Sequence, residues 1–299
     1  MKNNKLIYQS VQEEQFQGHA TRQKLYEKLE KEIKIPVISF FTSFIYPVSI
    51  EDNDANMLEG VLQKSDLSKG LMLFLSSPGG DALAAERIIN LCRGYSETGK
   101  YQVIVPSKAK SAATMICLGA EKLIMSKSSE LGSIDPQVIY QENGQTKRSS
   151  IYNLTESYKR LFSEAINTKG NLQPYIQQLS HYDTREIEEM KMVSALSEDI
   201  ALKALHSGML TELNKEDIEK KIEIFLIPEK EVKTHGRAIY ALSAQNCGLN
   251  VEMVDPRSIL WKITYELFVR LNNFVSTNNV AKCIESKDYS FHTSISVST

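Results

Sequence analysis

The sequence predicts an α/β protein whose sheet is mainly parallel, and three observations carry that expectation. Short apolar runs rich in Val, Ile, Leu and Phe recur at Pro36–Ile45, Leu71–Ser76, Gln102–Val105 and Lys122–Met125, each bounded by Gly, Pro or Ser. Such runs read as strands buried on both faces. Helical patterns lie between them, and strand–helix alternation implies right-handed βαβ crossovers. After about residue 150 the apolar spacing becomes helical, so the C-terminal part is expected to be mainly helices.

Each element follows in order. Residues 1–34 are polar and charged, with Leu25, Leu29 and Ile33 at every fourth position. That pattern predicts an amphipathic helix, read as a peripheral extension or a subunit contact. The greasy stretch Ile35–Ile50 contains Pro36 and Pro47 and is short for a membrane span, so it reads as a buried strand with its flanks. Asp54–Lys64 puts Met57, Leu58, Val61 and Leu62 on one helix face, and Ala82–Arg93 does the same with Leu83, Ile88, Ile89 and Cys92. Thr155–Lys169 stops at Gly170, and Asp183 with Glu186 is close to a capping box for a helix that runs to His206. Asn214 and Asp217 open another helix, residues 236–247 form a further one, and Leu249–Val254 reads as a last strand. Arg257–Phe274 carries Leu260, Ile263, Leu267 and Leu271 on one face, and the Ser/Thr-rich residues 286–299 read as a frayed tail. The expected partition is an N-terminal helical extension (1–34), one main domain (35–256), and a C-terminal helix with a disordered tail (257–299).

Composition narrows the function. The chain has 299 residues, 42% of them hydrophobic, enough to bury a core. Lys plus Arg is 35 against 37 for Asp plus Glu, and that balance argues against a protein built mainly to bind nucleic acid. The first residues lack the apolar run of a secretory signal. Four cysteines, none in a CxxC pair, argue against a zinc ribbon or a thioredoxin-type motif and suit a reducing compartment, so a soluble cytoplasmic protein is expected. Gly94–Lys100 resembles the start of a P-loop, but Tyr101 follows where Ser or Thr is needed, and the helix-to-strand context is reversed. GxGxxG and HExxH are absent, and no cofactor or metal is expected.

Two turns carry the chemistry. Ser76-Ser77-Pro78-Gly79-Gly80-Asp81 follows an apolar strand and precedes a helix, so its glycines leave N–H groups unshielded at a helix start, where they can meet an anion or a developing oxyanion. Pro106 to Met115 also follows a strand and opens a helix, with Ser111 at the handover and the small residues Ala112 and Ala113 beside it. Taken alone, Ser111 reads first as an N-cap. Functional groups gather at the carboxyl ends of parallel strands, and two such turns in succession bring the Gly79 and Gly80 amides toward Ser111. A hydroxyl facing preorganised amides is a minimal acyl-transfer arrangement.

SPGGD after a strand, KSAAT some thirty residues on, and then GAEKLIMSKSSELGSIDPQ together resemble the serine dehydrogenase proteinase family. That family is grouped with the signal-peptide-peptidase-like serine proteases and shares the Clp peptidase/crotonase fold. The resemblance is strong from Pro36 to Gln137 and continues to Val254 through THGRAI and CGLNVEMVD. It implies a Clp/crotonase-like spiral of βαβ units. It also implies Ser111 as nucleophile, Gly79 and Gly80 as oxyanion-loop glycines, and the Ala112 amide as second donor. Asp135 stands close to where Clp peptidase places its general-base histidine, so the chain departs from that pattern there.

The base therefore has two candidates. His235, in the family-like segment KTHGRAI, ranks first among the five histidines, with Asp135 as its orienting carboxylate. Signal-peptide-peptidase-like relatives instead use a lysine beyond a loop. Lys147 is the nearest one here, although the matched position falls equally on Ser149 or Ser150. Lys110 adjoins Ser111 but points elsewhere and reads as solvated or bound to a carboxylate.

The expected function is a serine endopeptidase acting on a peptide or protein, without cofactor, assembled as a homo-oligomer as the resemblance implies. A membrane-protein substrate is neither required nor excluded. The alternatives are a crotonase-type acyl-CoA enzyme using Glu130 or Asp135, and an inactive peptide-binding scaffold.

Overall fold

The computed structural model describes residues 5–14, 18–142, 144–226, 236–277 and 279–295. The chain opens with α1 (Ile7–Glu13) and α2 (Ala20–Ile33), then alternates β1 (Val37–Thr42), α3 (Asp52–Leu62), β2 (Leu71–Ser76), α4 (Ala82–Tyr95) and β3 (Tyr101–Val105). The short β4 (Lys108–Ala109) leads into α5 (Ala112–Leu118), β5 (Lys122–Met125) and β6 (Glu130–Leu131). A hairpin of β7 (Gln137–Glu142) and β8 (Gln145–Ser150) precedes the helices α6 (Ile151–Asn167), α7 (Gln173–Leu179), α8 (Thr184–His206) and α9 (Lys215–Leu226). The last elements are β9 (Ile239–Tyr240), α10 (Ala241–Asn246), β10 (Val251–Met253), α11 (Ile259–Thr277), β11 (Val280–Glu285) and β12 (Ser290–Ser294).

The apolar runs become strands because both faces of each have somewhere to go. Leu71, Leu73, Leu75, Val103, Val105, Leu123 and Met125 pack into one core with α3, α4, α5, α8 and α9. Their alternate neighbours Met72, Phe74, Ile104 and Ile124 pack into a second core with α2 and α11. Side chains alternate across a strand, so a continuous apolar run fills two layers at once. The main sheet has the order β10-β5-β3-β2-β1-β11-β12. The pairings from β10 through β1 are parallel, and those of β11 and β12 are antiparallel. A small sheet, β4-β6-β9, carries the turn that holds Ser111.

Two expectations fail at the ends of the chain. The N-terminal amphipathic helix is not peripheral: Arg22, Tyr26 and Leu29 of α2 are fully buried against the sheet and α11. The stretch read as a frayed tail holds β12, paired with β11, which in turn pairs antiparallel with β1. β11 reads VAKCIE, and its polar residues hide it. Lys282 is buried in an ion pair with Asp54 at 2.8 Å, and Glu285 in one with Arg22 at 2.6 Å. The helix expected over 236–247 is shorter, because Ile239 and Tyr240 pair with β6 before α10 begins.

Candidate active site

The site is built at the carboxyl ends of β2 and β3, where the chain leaves the main sheet. Ser77 fastens the first turn to the second. Its N–H donates to the Lys108 carbonyl at 3.1 Å, and its carbonyl accepts the Lys110 N–H at 3.0 Å. Its buried Oγ accepts the Gly79 N–H at 3.1 Å, a local hydroxyl turn that the sequence reading missed. Ile50 flanks the other side: its N–H donates to the Gly79 carbonyl at 2.8 Å, and its carbonyl accepts the Asp81 N–H at 2.9 Å. Successive residues of an extended segment present their polar groups to opposite sides. Ile50 takes Gly79 and Asp81, so the N–H and C=O of Gly80 face away from it. A Cβ on Gly80 would collide with the Ile50 backbone, and only glycine allows this approach.

Gly79 fits against the second turn. Its φ is +101°, and a Cβ there would stand 2.5 Å from the Lys110 carbonyl oxygen, 2.7 Å from the Ser111 Cβ and 3.1 Å from the Ala112 nitrogen. The structure thus brings Gly79, Ser111 and Ala112 into contact range. Among the described residues, the N–H groups of Gly80 and Ala112 have no hydrogen-bond acceptor, whereas that of Gly79 is taken by Ser77. Unpaired N–H groups at a helix start can hold developing negative charge.

Ser111 occupies the N-cap position of α5 but does not cap it. Its side chain makes no cap hydrogen bond, unlike Asp81 at α4, Ser150 at α6 and Asp183 at α8. Its φ is +49° and ψ −120°, a conformation glycine prefers. The half-buried hydroxyl is left available by a backbone held in strain, as at a sharp strand-to-helix nucleophile turn.

The other candidate residues have their own local partners or lie outside the described residues. Asp135 is buried after β6, and its Oδ1 accepts the Tyr152 N–H at 3.4 Å at the start of α6. Lys147 is exposed on β8, opposite Tyr140 of β7. His235 lies outside the described residues. Glu130 pairs with Lys110 at 2.9 Å. Among the described residues, no group of three or more His, Cys, Asp or Glu is placed to hold a metal ion, and no helix is long and apolar enough to cross a membrane.

Comparison with known proteins gives the following likenesses. Residues 26–159 match the family of ClpP-like SDH-type serine proteinases. Two uncharacterized proteins of Methanocaldococcus jannaschii are similar in sequence. One is 34% identical over 230 residues, 75% of this chain, and the other 33% identical over 104 residues, 35% of this chain. The chain spans 65% of the length of the first and 32% of the second. Among solved structures, the 1510-N membrane-bound stomatin-specific protease in complex with a substrate peptide aligns at 19% identity and a TM-score of 0.30, covering 74% of this chain and 93% of that one. A second structure of that protease aligns at 17% identity and a TM-score of 0.30, covering 70% and 93%. The mixed α/β fold with its mostly parallel central sheet is of the ClpP-like class. Residues 26–159, which hold both turns of the site, are thus similar to the ClpP-like SDH-type serine proteinases.

Proposed function

We propose that the chain hydrolyses peptide bonds, with Ser111 as nucleophile and the N–H groups of Gly80 and Ala112 as oxyanion donors. The observation that carries this reading is a serine held at positive φ, with no cap bond, beside two N–H groups that have no acceptor. Ser111 Oγ would attack the peptide carbonyl carbon as its proton passes to a base, and the carbonyl oxygen would take up the charge between the two amides. Collapse of the tetrahedral species expels the amine, which takes the proton, and water repeats the sequence on the acyl-enzyme. His235, oriented by Asp135, is the base we favour, and Lys147 is the alternative. An extended substrate would lie along the Gly79–Gly80 edge, where the Gly80 carbonyl is turned away from Ile50. The exposed apolar side chains Phe162, Ile166, Ile176 and Met192 on α6 to α8 support contacts between copies. The sparse free cysteines support a cytoplasmic setting.

The crotonase reading needs a carboxylate at the amides. Glu130 is engaged by Lys110 and Asp135 by the start of α6, so neither favours it. A fluorophosphonate probe tests the proposal. The expected result is labelling at Ser111 in the folded chain, none in Ser111→Ala, and labelling slowed by about 100-fold or more in His235→Gln but not in Lys147→Met. An unlabelled chain that binds coenzyme A would establish the crotonase alternative, and one that does neither would leave the scaffold.

A further inference from the structure

Two side chains beside Ser111 reach across to residues 130–132, and the proton chemistry above uses neither. Lys110 Nζ pairs with Glu130 at 2.9 Å and donates to the Leu131 carbonyl at 3.0 Å, with each charged side chain only 20% exposed. Thr114 Oγ1, fully buried, donates to the Ala109 carbonyl at 2.8 Å and accepts the Gly132 N–H at 3.0 Å. The backbone makes the same connection: Lys108 and Ala109 pair in parallel with Glu130 and Leu131, and the Glu130 N–H donates to the Ser107 carbonyl at 2.7 Å. A Cβ on Gly132 would stand 2.8 Å from Lys110 Cδ, so the lysine stem is packed along this segment.

Ser111 sits between these two anchors in a backbone conformation that persists only where its surroundings over-determine it. We propose that the Lys110–Glu130 pair is a positioning clamp which, with Thr114, holds Ser111 at its positive φ with the hydroxyl aimed at the amides. The inference rests on the reading of Ser111 as nucleophile. In it, Lys110 takes no proton. It fixes the turn, and releasing it lets φ relax and the hydroxyl swing away. A displacement on the order of 1 Å at a reacting atom lowers the rate by roughly 100-fold.

The test measures fluorophosphonate labelling and peptide hydrolysis, with a thermal melt for each variant. Lys110→Met and Glu130→Gln are each expected to slow labelling and lower kcat by about 10- to 100-fold, with KM little changed. Lys110→Arg, which keeps the charge, the donors and the stem, is expected to label at close to the parental rate. Slow labelling in Lys110→Met beside a normal Glu130→Gln would make the lysine act alone and overturn the clamp. Slow labelling in a folded Lys110→Arg variant would overturn it equally. Failure of the parent chain to label would sink the nucleophile reading and this inference with it, whereas a labelled parent with unimpaired variants would sink the clamp alone.

Discussion

Ser111 carries φ +49° and ψ −120° without the freedom of a glycine, and such a placement costs about 1–3 kcal/mol. The strain is separable from the chemistry. Ser111→Gly is expected to abolish hydrolysis while stabilising the fold by about 1 kcal/mol, the relief of strain being partly offset by the larger entropy of a glycine in the unfolded chain. Ser111→Ala abolishes hydrolysis without that gain. A rise in melting temperature of about 2 °C in the glycine variant alone checks the prediction, and equal melting of the two would refute it. Ser111 and the glycine pair were legible in the sequence because small residues mark any sharp handover from strand to helix. Ser77 was legible in principle, since its hydroxyl closes on an amide two residues along. Thr114 was not, because the Gly132 N–H that makes it useful lies eighteen residues away and is brought back by the pairing of β4 with β6.

Among the elements, α2 and β11 are the ones whose sequences conceal their places. The Arg22 guanidinium forks onto the Glu285 carboxylate at 2.6 and 2.8 Å, lies 4.5 Å from the centre of the Phe274 ring, and shares Glu285 with the Tyr26 and Ser290 hydroxyls. Breaking a pair of this burial from one side leaves a charge stranded, at about 3–5 kcal/mol. Arg22→Met is therefore expected to lower the urea midpoint sharply, and adding Glu285→Leu to recover much of the loss. A double variant no better than the single would contradict that account. Charged residues at buried positions defeat any reading based on apolar periodicity, so α2 was found as a helix but assigned to the surface, and β11 was not found. By contrast, β2 and β5 match the expected Leu71–Ser76 and Lys122–Met125, since in them nearly every side chain is apolar and periodicity needs no partner to be read.

At the scale of the whole molecule, the two cores on either side of the sheet exclude solvent from three of the four thiols. Burial pushes Cys92 up to about 12 and holds Cys117 and Cys283 well above the ordinary thiol range. At pH 8 these groups stay protonated as well as covered, so alkylation of the folded chain is expected to stop at the half-buried Cys247, with all four thiols reacting in urea. Mass spectrometry that found Cys92 or Cys117 alkylated without denaturant would show that the core opens locally. The parallel half of this architecture was legible in the sequence, whereas the antiparallel edge was not. β1 acquires its second neighbour only when residues 280–285 arrive. A ribosome must therefore deliver everything from β1 through residue 285 before that strand is enclosed. Until then its open side and the unmatched guanidinium of Arg22 face water or a chaperone, so the sheet closes on its antiparallel side well after β2, β3 and β5 have been synthesised.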